Sequence, residues 1–262
     1  MDSVSYNADE NFVLFWPSLV GAAIIMLVHL LVPRFRFMRK PDNVWVPASV
    51  GIALAYVFID IFPHLAKSKA KLGYMGDNPV YDFMTRNIYL LALAGFTVYL
   101  GIVLAEKVFR KNQAADDITF RSAPAAIKAE VISLAAYNFL VGYLLSEQTT
   151  HRAEPALLFG AAMAIHFAGL DYLTRGHFPR LYDGVLRYAL AASVLAGWIA
   201  GVALEIANAS LELWYSFLAG GIIVVAAVYE LPHIHSRKQY WAFVAGAGLF
   251  SSLILSINYY GK

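Results

Sequence analysis

The sequence predicts an all-α polytopic membrane protein, a single transmembrane domain of eight helices across residues 1–262. Three observations predict it. The chain of 262 residues is 60% hydrophobic and only 15% charged, where a soluble domain carries about 25% charged residues. Its apolar residues gather into runs of about 20, the length that crosses a bilayer as a helix. Two of these runs also echo each other. Gly51-Ile52 leads to Asp60 and then Pro63-His64, and Gly221-Ile222 leads to Glu230 and then Pro232-His233. In both, the acid stands nine positions after the glycine (51 to 60, 221 to 230). A repeated half is the usual trace of a secondary transporter built by duplication.

The start, Met1 to Asn11, is polar and acidic. It lacks the basic region of a signal peptide, so the first apolar run reads as a retained helix. At about 20 apolar residues per crossing, the spans fall at about 12–32, 46–66, 87–108, 127–147, 155–175, 185–205, 210–231 and 240–259. The first, third and eighth are nearly free of charge. The others carry polar groups that must face protein or water rather than lipid. Gly and Ala are plentiful from the fifth span to the eighth, as close helix packing requires. Trp16, Trp45, Tyr81, Trp214, Tyr240, Trp241 and Tyr259 stand near span ends, where an interfacial aromatic belt belongs.

The segments following the first, third, fifth and seventh spans hold 14 of the 20 basic residues, which orients the chain with both termini extracytoplasmic. The second and seventh spans then run in opposite directions, so the repeat is an inverted one. The membrane is the plasma membrane or the bacterial inner membrane, and the lipid bilayer is the first partner. The formal net charge of +2 is too small to argue for nucleic acid. Without cysteine there are no disulfides, thiolate metal sites or cysteine nucleophiles. No lysine lies mid-span to form a retinal Schiff base, and no cluster suggests hydrolysis, so the expectation is not an enzyme.

Polar groups inside a membrane are functional candidates by default. Asp60 and His64, four residues apart, share a helix face. Carboxylate and imidazole together suit zinc, iron or manganese; the alternative is an interfacial pair at a helix end broken by Pro63. Asn138 offers an amide oxygen near mid-membrane, or glues helices together. His166 is a ligand or a satisfied core histidine. Asp171, five residues on and about 140° round the helix, does not share its face. Glu230, His233 and His235 at the inner end of the seventh span read as an exit relay for cations or as a solvated loop. His29 carries only a bland reading.

These residues resemble the ZIP divalent-metal transporters. GIALAYVFIDIFPH (Gly51 to His64) is similar to that family's second helix, with Asp60 at its histidine position and His64 at its glutamate. GFTVYLGIVLAEK (Gly95 to Lys107) is similar to its third helix. Tyr137-Asn138-Phe139-Leu140-Val141-Gly142 resembles HNxxDG, His166-Phe167-Ala168-Gly169-Leu170 resembles HxxPEG, and FLAGGIIVVAAVYELP resembles the glycine-rich seventh helix. The resemblance implies a three-plus-two-plus-three inverted repeat, a homodimer, and a zinc, iron or manganese ion carried as substrate with no tightly bound cofactor. The departures are specific: Tyr137, Val141 and Leu170 stand where the family has histidine, aspartate and glutamate, and Gly169 where it has proline. The expectation is a reduced metal site of Asp60, Asn138 and His166, with His64 as an outer relay and alternating access by a rocking repeat. The alternatives are a non-transporting receptor, sensor or subunit on the same scaffold, and a carrier of a non-metal solute.

Overall fold

The computed structural model describes residues 3–35, 38, 43–71, 79–112, 118–147, 153–204 and 208–260. Among them every regular element is helical. Eight helices are long and apolar enough to cross a membrane: α1 Phe15–Arg34, α2 Trp45–Lys67, α3 Ile88–Phe109, α4 Ala125–Ser146, α5 Ala156–His177, α6 Pro179–Ala203, α7 Glu212–His233 and α8 Arg237–Ile257. The chain is thus an integral membrane protein in its composition and its fold. Trp16, Trp45, Trp214, Tyr240 and Trp241 are all exposed, as a lipid-facing belt requires.

One boundary differs from the sequence expectation. α6 begins at Pro179 rather than near 185. Proline suits the first turn of a helix because its missing N–H has no partner there anyway. Across this boundary Arg175 Nε and Nη2 each donate to the Asp183 carboxylate at 2.8 Å. This bidentate geometry lets both charges sit against helices rather than in open water.

The helices pack in parallel pairs, α1 with α5, α4 with α6, α2 with α8 and α3 with α7. Exchanging α1 with α6, α2 with α7, α3 with α8 and α4 with α5 turns each pairing into another of the set. An inverted repeat around a central α4–α5 couple has this property. Hydrogen bonds set the direction within a pair: Ser216 Oγ donates to the Ile88 carbonyl, and Lys107 Nζ donates to the Val228 carbonyl at 2.6 Å. Odd helices therefore run with odd and even with even, as alternating crossings demand.

Lipid tails are as apolar as leucine, so these pairs are held by close packing rather than by exclusion of water. α6 carries Gly197 and Gly201 four apart, facing Gly142 and Ser146 of α4. A Cβ on Gly197 would run into the Phe139 backbone carbonyl, which cannot move aside. Gly197→Ala is therefore expected to cost about 1–3 kcal/mol from overpacking. Gly101→Ala, with nothing within 4 Å of the new methyl, should be neutral or gain up to about 1 kcal/mol of helix propensity. Thermal unfolding in detergent distinguishes the two; equal midpoints would remove the close-packing account.

The pairing leaves α5 at the centre, with 78% of its apolar window buried against 17% for α8. Three helices contain a π-turn: α2 at Val57–Ile61, α6 at Tyr182–Leu186 and α7 at Val225–Glu230. Such turns re-aim side chains and gather at functional sites. In α2 and α7 the π-turn contains the echoed acid, Asp60 in one and Glu230 in the other. The sequence echo is thus also a structural echo.

Candidate functional site

α5 brings His166 into the middle of the bundle, and the π-turn of α7 swings Glu230 toward it. His166 Nδ1 lies 3.5 Å from Glu230 Oε2, and both side chains are 0% exposed. Gly169, one turn below His166, leaves the room: a Cβ there would come within 3.3 Å of Glu230 Oε1 and run into Ser49 Oγ of α2. Tyr137 of α4 closes the other side, its ring 6.5 Å from that of His166 and edge-on to it. Neither His166 nitrogen, neither Glu230 carboxylate oxygen, nor the Tyr137 hydroxyl has a hydrogen-bond partner among the described residues. Each such group costs about 2–7 kcal/mol when held away from water. Five buried polar atoms on three neighbouring side chains thus have an unmet need.

A second buried cluster sits beside it and is fully bonded. His29 Nδ1 of α1 is 2.6 Å from Asp171 Oδ2 of α5, and His29 Nε2 is 2.7 Å from Asn138 Oδ1 of α4. The Tyr182 hydroxyl of α6 lies 2.6 Å from the same Asp171 oxygen and 3.0 Å from the His29 carbonyl. Asn138 Nδ2 donates to the Leu134 carbonyl at 2.9 Å. The Asn138 oxygen is therefore engaged by His29, and Asn138 belongs to this network rather than to the His166 site.

Toward the other end of α2, Asp60 is half-buried and hydrogen-bonded to Tyr56. His64 Nε2 is 2.9 Å from Glu212 Oε1 of α7, with the His64 side chain 57% exposed. At the opposite end of α5 and α7, His177 Nδ1 is 2.8 Å from the Tyr229 hydroxyl and 3.7 Å from buried Glu106 Oε1 of α3. The ring of His233 stands 6.2 Å from that of His177.

The expected trio of Asp60, Asn138 and His166 does not assemble: Asn138 is engaged by His29, and Asp60 lies at a different depth. Ser49 of α2 is level with Gly169 of α5, and Tyr56 packs on Phe159, ring to ring at 5.5 Å. At 1.5 Å per residue, Asp60 lies roughly 10 Å along the axis from the level of His166. Among the described residues, no three His, Asp or Glu side chains form a metal-holding group. His64 faces Glu212 at an exposed rim. Glu230, read as part of an inner relay or a solvated loop, is instead wholly buried against α5. Of the other two relay residues, His233 is half-buried beside His177. His235 is exposed and precedes α8: its N–H donates to Gln239 Oε1 at 2.9 Å, just outside a capping box of Ser236 and Gln239.

His29, Glu106, His177, Tyr182 and Glu212 carried no site expectation, and Asp171 had only been set apart from His166. The signal for Asp171 was present: its angle of about 140° from His166 means a second face and so a second site. His29 had the same kind of signal, a lone imidazole inside an apolar run. No known family profile matches this chain, and no curated protein is significantly similar to it.

Proposed function

We propose that this membrane protein is a cation carrier whose central binding site is formed by His166 and Glu230, with a divalent metal ion as its substrate. The observation that supports this reading most is the pair itself: an imidazole and a carboxylate, fully buried, 3.5 Å apart and otherwise unbonded. A bound cation would satisfy both at once. Nitrogen and carboxylate oxygen donors suit zinc, iron(II) or manganese(II). Leu170 stands where the resembled family has a glutamate, and Glu230 reaching over from α7 supplies a carboxylate in its place.

Titratable groups continue from this pair toward both ends of the bundle. Tyr56, Asp60, His64 and Glu212 lie toward one end, and Tyr229, His177, Glu106 and His233 toward the other. Such a column is what a path for ions through a bundle requires. The inverted pairing of helices fits alternating access, with one repeat rocking against the other.

The test is uptake of zinc, iron(II) or manganese(II) into liposomes containing the purified protein. Uptake above protein-free liposomes is expected. Binding without uptake would favour a sensor or receptor instead. Tyr137 gives that second reading some weight: fully buried against Tyr99 and Phe167, it walls off the site from α4. Neither uptake nor a metal-dependent rise in melting temperature would remove the metal reading altogether.

A further inference from the structure

The fully bonded cluster of His29, Asn138, Asp171 and Tyr182 has no part in holding the cation, and its donor and acceptor pattern is unusual. His29 meets an acceptor on both ring nitrogens. On one side is Asp171 Oδ2 at 2.6 Å; on the other is an amide oxygen, Asn138 Oδ1, at 2.7 Å. The orientation of the Asn138 amide follows from the Leu134 carbonyl, to which its nitrogen donates at 2.9 Å. Turning it over would set an amide oxygen against a carbonyl oxygen. A neutral imidazole has one N–H and one bare nitrogen. With its proton on Nδ1, the bare Nε2 would face the Asn138 oxygen, lone pair to lone pair, at hydrogen-bond distance with no water to intervene. The arrangement is satisfied only when Nε2 carries a proton and the His29–Asp171 contact holds another.

We infer that His29 and Asp171, positioned by Asn138 and Tyr182, form a buried proton-binding site separate from the His166–Glu230 pair. The site holds one proton more than a neutral imidazole and a carboxylate would. In that state it is an imidazolium–carboxylate pair of zero net charge, which is how two ionisable groups are tolerated inside a membrane. The other polar neighbours agree with this assignment. Tyr182 offers its hydroxyl hydrogen to the Asp171 carboxylate or to the His29 carbonyl, and it requires no proton from His29. Among the described residues, the other charges near Tyr182 include Asp183, Arg187 and Arg175, and Asp183 is already paired with Arg175. The Phe167 ring, 5.1 Å from that of His29, completes the apolar wall.

Four helices supply the four residues, α1, α4, α5 and α6, so the proton bolts the α1–α5 pair to the α4–α6 pair. Release requires a state of the bundle that admits water to the site. The Nε2 proton then passes to that water, and Nδ1–H stays hydrogen-bonded to Asp171. The site is then left with one negative charge and a bare Nε2 facing the Asn138 oxygen. The Asn138 amide must then turn to donate to Nε2 and give up the Leu134 carbonyl. A proton arriving or leaving thus changes a contact that joins two helix pairs.

The inference does not depend on the chain carrying a cation, and its test reads the imidazole directly. Protein labelled with 15N-histidine has seven histidines, and loss of one signal set in His29→Gln assigns His29. At neutral pH, His29 Nε2 is expected to carry a proton. The inference holds whether the second proton is found on Nδ1 or on Asp171; a bare Nε2 overturns it. Asp171→Asn, which keeps the shape, tests the carboxylate's part even if His29→Gln folds poorly. In that variant His29 should become neutral, with Nδ1 bare and Nε2 still protonated. An imidazolium surviving in Asp171→Asn would show that the carboxylate does not hold the proton, and would overturn the site as described.

Discussion

Replacing Glu230 by glutamine is expected to lower metal uptake at least about 100-fold while leaving the fold intact. Removing a group that merely orients a metal ligand already costs 10–100-fold in many sites, and in the proposed site Glu230, 3.5 Å from His166, would be a direct donor. Glutamine keeps the volume and the hydrogen-bonding shape and removes the charge. Both side chains are fully buried, so solvent cannot make up for the lost charge. His166→Ala should give the same loss. Asp60→Asn is the informative comparison: lying roughly 10 Å along the axis from His166, it should change apparent affinity far less than either. Uptake and the metal-dependent shift in melting temperature check this together. Unchanged behaviour in both Glu230→Gln and His166→Ala would sink the proposed site.

The largest effect on stability is expected at Asp171. Asp171→Ala leaves His29 Nδ1 and the Tyr182 hydroxyl, both buried, without the oxygen they share. Breaking a buried pair by removing one partner typically costs 3–5 kcal/mol, because the remaining group is stranded. Asp171→Asn should cost much less, since a neutral imidazole and an amide can still satisfy each other. Chemical denaturation in mixed micelles measures the difference between the two. A loss below about 1 kcal/mol for the alanine variant would mean that the network is not a structural bolt. By contrast, His64→Ala should cost about 1 kcal/mol or less, because the His64 side chain is 57% exposed and water can take its place beside Glu212, itself 14% exposed.

Much of the architecture was legible in the chain. The eight spans follow from run length alone, since bilayer thickness sets helix length whatever the neighbours are. The echo was legible because Gly51 with Asp60 and Gly221 with Glu230 recur at one spacing. That spacing survives as a π-turn around each acid. The sequence places the start of α6 near 185 because Arg175, Arg180 and Arg187 count as following the fifth span, whereas the helix already begins at Pro179.

The candidate site was legible only in part. His166 was identified correctly as a buried group with a ligand-type side chain, and Asn138 as a buried amide, but neither partner was. Which helix faces α5 at the level of His166 depends on packing between helices far apart in sequence. His166 and Glu230 are separated by 64 positions (166 to 230) and His29 and Asp171 by 142. No local periodicity encodes such a distance. Asp60 and Glu230 look alike along the chain, yet one ends half-buried beside Tyr56 and the other fully buried beside His166.

Run length alone predicted eight helices able to cross a membrane, and the recurring spacing from glycine to acid pointed to an inverted repeat. Both are properties of one helix at a time, or of one segment compared with another. Only the tertiary structure decided which polar groups meet. In a bilayer each buried donor or acceptor must find its partner within the protein, and the partner it finds is set by which helices pack side by side and at what depth.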